Sequence, residues 1–156
     1  MDLLYEDTNI TFYNMKENDK CILCVCALNN IVESEMCNIS SVLKTILETY
    51  QKQNIKWSIL YDIRKIGVIT KKMIDYWIKI FRIFHPIMEH NQNATSILVK
   101  SEEISSILNK VILLWEPVGE VKFFIDYDSS IEYLKKKNME LKLTSITKIK
   151  LKGSKF

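Results

Sequence analysis

Few residues in this chain combine a reactive type with a suggestive spacing. Cys21-x-x-Cys24 has the spacing of a redox or zinc pair. A redox pair of that kind needs a helix N-terminus, where the dipole stabilises the thiolate. Here the pair lies inside CILCVCAL (residues 21–28), a run that reads as a strand buried on both faces. Alternation along a strand places Cys24 and Cys26 on one face and Cys21 on the other, and no second Cys or His pair stands at zinc-finger spacing. These are expected to be core cysteines, in keeping with the burial preference of the free thiol.

His85 and His90 fall where a long apolar segment ends, with no nucleophile and orienting acid arranged around either. Imidazoles meeting carbonyls or solvent at a helix end are the expectation. The three glycines stand apart, which excludes a phosphate-cradling loop. Asp62 closes the run IKWSILYD (residues 55–62), and the C-terminal ends of strands are where an open α/β sheet meets ligands. A single carboxylate there more often caps a loop than catalyses. No catalytic residue, metal or cofactor is expected, and the chain does not read as an enzyme.

The elements that must position these residues can be read from periodicity. Residues 8–14 and 21–28, joined by a polar turn at Lys16–Asp19, read as an opening hairpin. Val42, Leu43, Ile46, Leu47 and Tyr50 recur at helical spacing, with Ser40 or Asn38 available as N-cap and residues 51–54 as the stop. The strand 55–62 leads through the loop 63–69 into a very apolar helix from Thr70 through Trp77, Phe81 and Phe84. A kink or stop is expected near His85, because Pro86 cannot donate to the helix ladder. Residues 95–99 form the next strand, and Ser101–Glu103 open a helix that Pro117 and Gly119 stop. A strand at 121–125 and a short helix from Ser129 to Lys137, with a capping box at Ser129–Glu132, close the domain. The order ββαβαβαβα describes one mixed, mostly parallel sheet with about four helices. Residues 1–137 make the domain and 138–156 a basic tail.

The charge is uneven. From Lys135 onward there are eight lysines and one acid, Glu140, against 14 basic and 18 acidic residues in the remainder, so the net +3 divides into +7 and −4. No apolar run approaches the roughly 20 residues of a membrane helix. The acidic opening Met1–Asp7 lacks the features of a signal peptide. A cytoplasmic protein with reduced cysteines is expected. The tail reads as solvated, with nucleic acid disfavoured.

The element order resembles the STAS domain, the fold of the anti-sigma-factor antagonist SpoIIAA and of the related CRAL-TRIO-like lobe. WSILYDI (residues 57–63) looks like the family's strand ending in Asp ahead of its loop and helix, ATSILV (94–99) like its next strand, and FFIDYDSSIEYL (123–134) like its closing strand and helix. The resemblance spans about residues 8–137. It implies a non-catalytic protein-interaction or regulatory module. The position where the antagonists carry a regulatory serine falls on Lys71, between Thr70 and Lys72, and a lysine cannot accept a phosphate switch.

The implied working surface is the loop and helix start with Asp62, Arg64, Lys65, Thr70, Lys71 and Lys72, beside the turn at Lys100–Glu103. Its basic residues point to another protein, of acidic character, as partner. A homodimer is a further option. The alternative is a lipid or other small apolar ligand bound under the long helix, suggested by its apolar excess at Trp77, Ile80, Phe81, Ile83 and Phe84. A closed pocket beneath that helix would favour the ligand, and an exposed apolar helix face would favour a protein partner.

Overall fold

The computed structural model describes the chain apart from residues 18, 19, 116, 118 and 154–156, and apart from the side chains of 17, 90, 91, 113–115 and 141–153. Expectations that rest on the His90, Trp115 or tail side chains therefore lie outside the described residues. Six strands form one sheet in sequential order: β1 (Asp2–Glu6), β2 (Ile10–Glu17), β3 (Lys20–Ala27), β4 (Lys56–Asp62), β5 (Gln92–Leu98) and β6 (Glu120–Phe124). The first two pairings are antiparallel and the remaining three parallel. Helices α1 (Glu33–Lys52), α2 (Lys71–Asn91) and α3 (Glu102–Trp115) make the crossovers, and α4 (Tyr127–Gly153) follows the last strand.

The mixed sheet matches expectation, and the hairpin of β2 and β3 is as read. The edge strand β1 was not anticipated. Its Tyr5 ring packs against Phe12 of β2, so an acidic opening segment still earns a place on the sheet.

Alternation sorts the core into two layers. Cys21, Leu23, Val25 and Ala27 of β3 and Trp57 and Ile59 of β4 face α1 and α2. Ile97 and Val99, at the end of β5, join Leu108 of α3 and Ile78 of α2. The opposite face carries Ile22, Cys24, Leu60, Ala94 and Leu98, covered by Ile131 and Leu134 of α4.

The sheet under α4 is built for close approach. The buried Ser96 and Ser130 hydroxyls meet at 2.7 Å. Asn138 Oδ1 accepts from Ser58 Oγ and Asn93 Nδ2, each at 2.7 Å, and Lys20 Nζ donates to the Asn138 carbonyl at 2.9 Å. Gly119, at φ 73°, brings β6 in so tightly that a Cβ would lie 2.4 Å from the Asn93 carbonyl oxygen.

Four local expectations are corrected. Helix α1 begins at Glu33, earlier than Ser40 or Asn38, and Val32 offers it no side-chain cap. Acids at Glu33 and Glu35 serve its first turn instead. Helix α2 passes through Pro86 to Asn91. Pro86 is exposed, and Phe84 and Met88 anchor the helix in the core on either side of it. His85 is consequently mid-helix. The cap of α4 is Asp126, whose Oδ2 accepts from Ser129 N and Ser129 Oγ, both at 2.8 Å, so Ser129 is not the cap. Finally, α4 runs past Lys137 to Gly153 without a break.

Candidate functional site

The C-terminal edge of the parallel strands gathers the loops between β3 and α1, β4 and α2, and β5 and α3. Asp62, at the end of β4, is held by its own loop. Arg64 Nε donates to Oδ1 at 3.0 Å and Nη2 to Oδ2 at 2.9 Å, while the Arg64 backbone N–H reaches Oδ1 at 3.2 Å. This is the loop-capping role: both carboxylate oxygens are engaged before any ligand arrives. The Asn30 side chain accepts from Gly67 N at 2.8 Å and ties the two loops together.

Thr70 is the N-cap of α2, its hydroxyl accepting from Met73 N at 3.2 Å. Lys71 and Lys72 follow in the first turn. Lys72 pairs with Glu33 of α1 at 2.7 Å, whereas Lys65 and Lys71 are exposed and make no ion pair with a described residue. The six expected residues thus fall into three separate roles: the Asp62–Arg64 clasp, the Thr70–Lys72 helix start and the exposed Lys65. The edge is not basic in sum. Glu33, Glu35, Asp62, Glu102, Glu103 and Asp126 share it with Arg64, Lys65, Lys71, Lys72 and Lys100.

The thiols on the α4 face are disfavoured as thiolates. Burial pushes Cys24 up to about 12 and, with the Asp62 charge adding to it, Cys26 up to about 11. The sulfur of Cys24 instead lies 3.9 Å from Met15 Sδ.

Under α2 lies a cavity of about 120 Å³. Its floor is the sheet, with Phe12, Val25, Ala27 and Ile97. Its roof is α2, with Ile74, Trp77, Ile78 and Phe81, and α1 and α3 form the flanks through Met36, Leu43 and Leu108. Ile31 and Ile66 close it from the two loops that Asn30 joins, and both are buried. Asp62, Ser40 and Tyr61 are the polar residues that reach its wall. Over the α1–α2 seam the helices are tied by the exposed Lys72–Glu33 pair and by a 3.4 Å contact between Cys37 Sγ and Tyr76 OH. Contacts of that exposed type contribute little, so the seam is held by the buried apolar side chains of α1 and α2, Met36, Leu43 and Leu47 with Ile80 and Phe84.

Most of these lining residues were legible as core but not as a cavity. The apolar pattern of a strand or helix states which side faces inward. It does not state how much volume the facing side chains leave.

Among solved structures, the chain is similar to an uncharacterised protein from the DUF3478 family, with a SpoIIAA-like fold, from Shewanella loihica PV-4. The TM-score is 0.60 at 16% identity, with 81% of this chain and 93% of that one covered. The fold is SpoIIAA-like. An anti-sigma factor antagonist from Mycobacterium paratuberculosis also matches, at a TM-score of 0.47 and 6% identity, over 81% of this chain and 94% of that one. No family model and no curated protein sequence matches the chain. Within the SpoIIAA-like fold, the apolar cavity sits where the sheet's C-terminal edge meets its helical layer, the general ligand position of open α/β sheets.

Proposed function

We propose that this protein is a non-catalytic binding module that takes a small apolar ligand, or the apolar end of a lipid, between its sheet and α2. The observation that carries this reading is the cavity. It is close in size to the engineered cavities of about 150 Å³ that stay dry and bind benzene. A longer acyl chain would need α2 to move outward. The non-catalytic reading rests on Asp62, the best-placed acid, being engaged on both oxygens by Arg64.

Native mass spectrometry of the purified protein, before and after gentle denaturation, tests this. An apolar species released on unfolding is the expected result. A protein that carries nothing and binds neither decanoate nor benzene would overturn the proposal.

A second reading is favoured by a separate observation. Val32 and Val68, on the loops beside the cavity, are 51% and 63% exposed, and Val68 stands between Lys65 and Lys71 in the sequence. A partner protein docking on this edge would bury two aliphatics and engage Lys65 and Lys71, as a regulatory module would require. Loss of a captured partner on Val68→Asp would support it.

A further inference from the structure

Regular structure closes the cavity on most sides. The sheet is its floor, and α1, α2 and α3 are its flanks and roof. Parting α1 from α2 would bring Met36, Leu43, Leu47, Ile80 and Phe84 toward water, all of them buried. The C-terminal edge is built differently. There the wall is made by the loop between β3 and α1 and the loop between β4 and α2. Each loop contributes one buried side chain to it, Ile31 and Ile66. Both are single plugs, because Asn30 and Val32 on one loop and Lys65 and Gly67 on the other are exposed.

The two loops are pinned at their bases. Leu28 N donates to the Asn9 carbonyl at 2.8 Å, and Asn29 Nδ2 to the Thr8 carbonyl at 3.3 Å. On the other loop Ile63 N donates to the Leu98 carbonyl at 3.0 Å, and Arg64 clasps Asp62. Nearer their tips, one hydrogen bond joins the loops among the described residues, from Gly67 N to Asn30 Oδ1 at 2.8 Å. That bond is exposed, so water can take the place of either partner when it opens.

We propose that these two loops are the gate of the cavity and the Asn30–Gly67 hydrogen bond its latch, an inference that rests on the binding reading above. Opening moves two aliphatic plugs outward and leaves the buried α1–α2 seam intact. Val32 and Val68, 51% and 63% exposed, give an apolar ligand an aliphatic contact on each loop before the plugs part. The latch is made whether the cavity is empty or filled. Its loss therefore speeds entry and release alike and leaves the affinity unchanged.

Methyl relaxation dispersion of the full chain with benzene reads the exchange rate, and a titration reads Kd. Asn30→Ala should speed exchange by about two- to tenfold, the effect of losing one modest hydrogen bond, at unchanged Kd. Asn30→Asp keeps the accepting oxygen and should exchange as the wild type does. Lys72→Ala removes the exposed pair with Glu33 across the α1–α2 seam and should leave the rate unchanged. Circular dichroism confirms that all three variants are folded. Benzene bound by every variant at the wild-type rate would overturn the gate and leave the binding reading standing. Faster exchange in Lys72→Ala but not in Asn30→Ala would move entry to the seam and overturn the gate equally. A wild type that binds no benzene would overturn both.

Discussion

On the α4 face of the sheet, side chains as small as Ser58, Ala94 and Ser96 let the helix approach closely, and Asn138 bridges Ser58 and Asn93. On the α1–α3 face, mostly apolar side chains from four strands and three helices converge and still leave about 120 Å³ empty. One side is a fitted joint of small and polar groups, and the other is an apolar layer with spare volume. A sheet that spends its close packing on one side and leaves room on the other has a structural face and a receiving face. The difference gives the same substitution opposite consequences on the two sides.

The largest expected effect tests the fitted side. Leu134 is fully buried there, and Leu134→Ala should cost about 2–5 kcal/mol in urea unfolding. A loss below about 1 kcal/mol would mean that this face also has slack. Next, Ala94→Leu should destabilise by about 1–3 kcal/mol through overpacking. Ala27→Leu projects into the cavity wall and should raise the melting temperature or leave it unchanged. Equal losses from both would erase the distinction. Asn138→Ala should cost about 1–3 kcal/mol, because it leaves the Ser58 hydroxyl without its acceptor inside the structure.

The smallest effect is pH-dependent. Hydrogen bonds from the Ser129 N–H and hydroxyl hold Asp126 below its ordinary value of 3.8. Its folded pKa lies below its unfolded one, so its contribution is complete above that unfolded value and is lost as pH falls through the folded one. The stability gap between wild type and Asp126→Asn should therefore stay constant at neutral pH and narrow in acid below about pH 4. The cap of α2, Thr70, does not titrate, so acid should loosen the start of α4 before that of α2 in hydrogen exchange.

Much of the architecture was legible because it follows from periodicity. The alternation through Cys21–Ala27 placed Cys21 on one face and Cys24 and Cys26 on the other, as observed, and the burial of Trp57 and Ile59 followed from an uninterrupted apolar run. Helix limits were harder. Val32 offers no cap and Asp126 does, yet nothing in the sequence makes Asp126 a better signal than Ser129, three residues on in the same polar cluster. Pro86 does not stop α2, because its cost is set by exposure and by the anchoring of Phe84 and Met88, which are tertiary facts. The surface residues Arg64 and Lys72 read as a basic patch, but Asp62 and Glu33, distant or adjacent in sequence alike, engage them in space. The cavity left no trace, since hydropathy records sidedness and not volume.

The most direct test of the receiving face is a methyl NMR titration of the folded protein with benzene. Saturable shifts should appear at Ile66, Ile80 and Ile97, while Leu60, Leu98 and Leu134 on the α4 face stay in place. Shifts on both faces, or on neither, would contradict the account of one face fitted and one face open to a ligand.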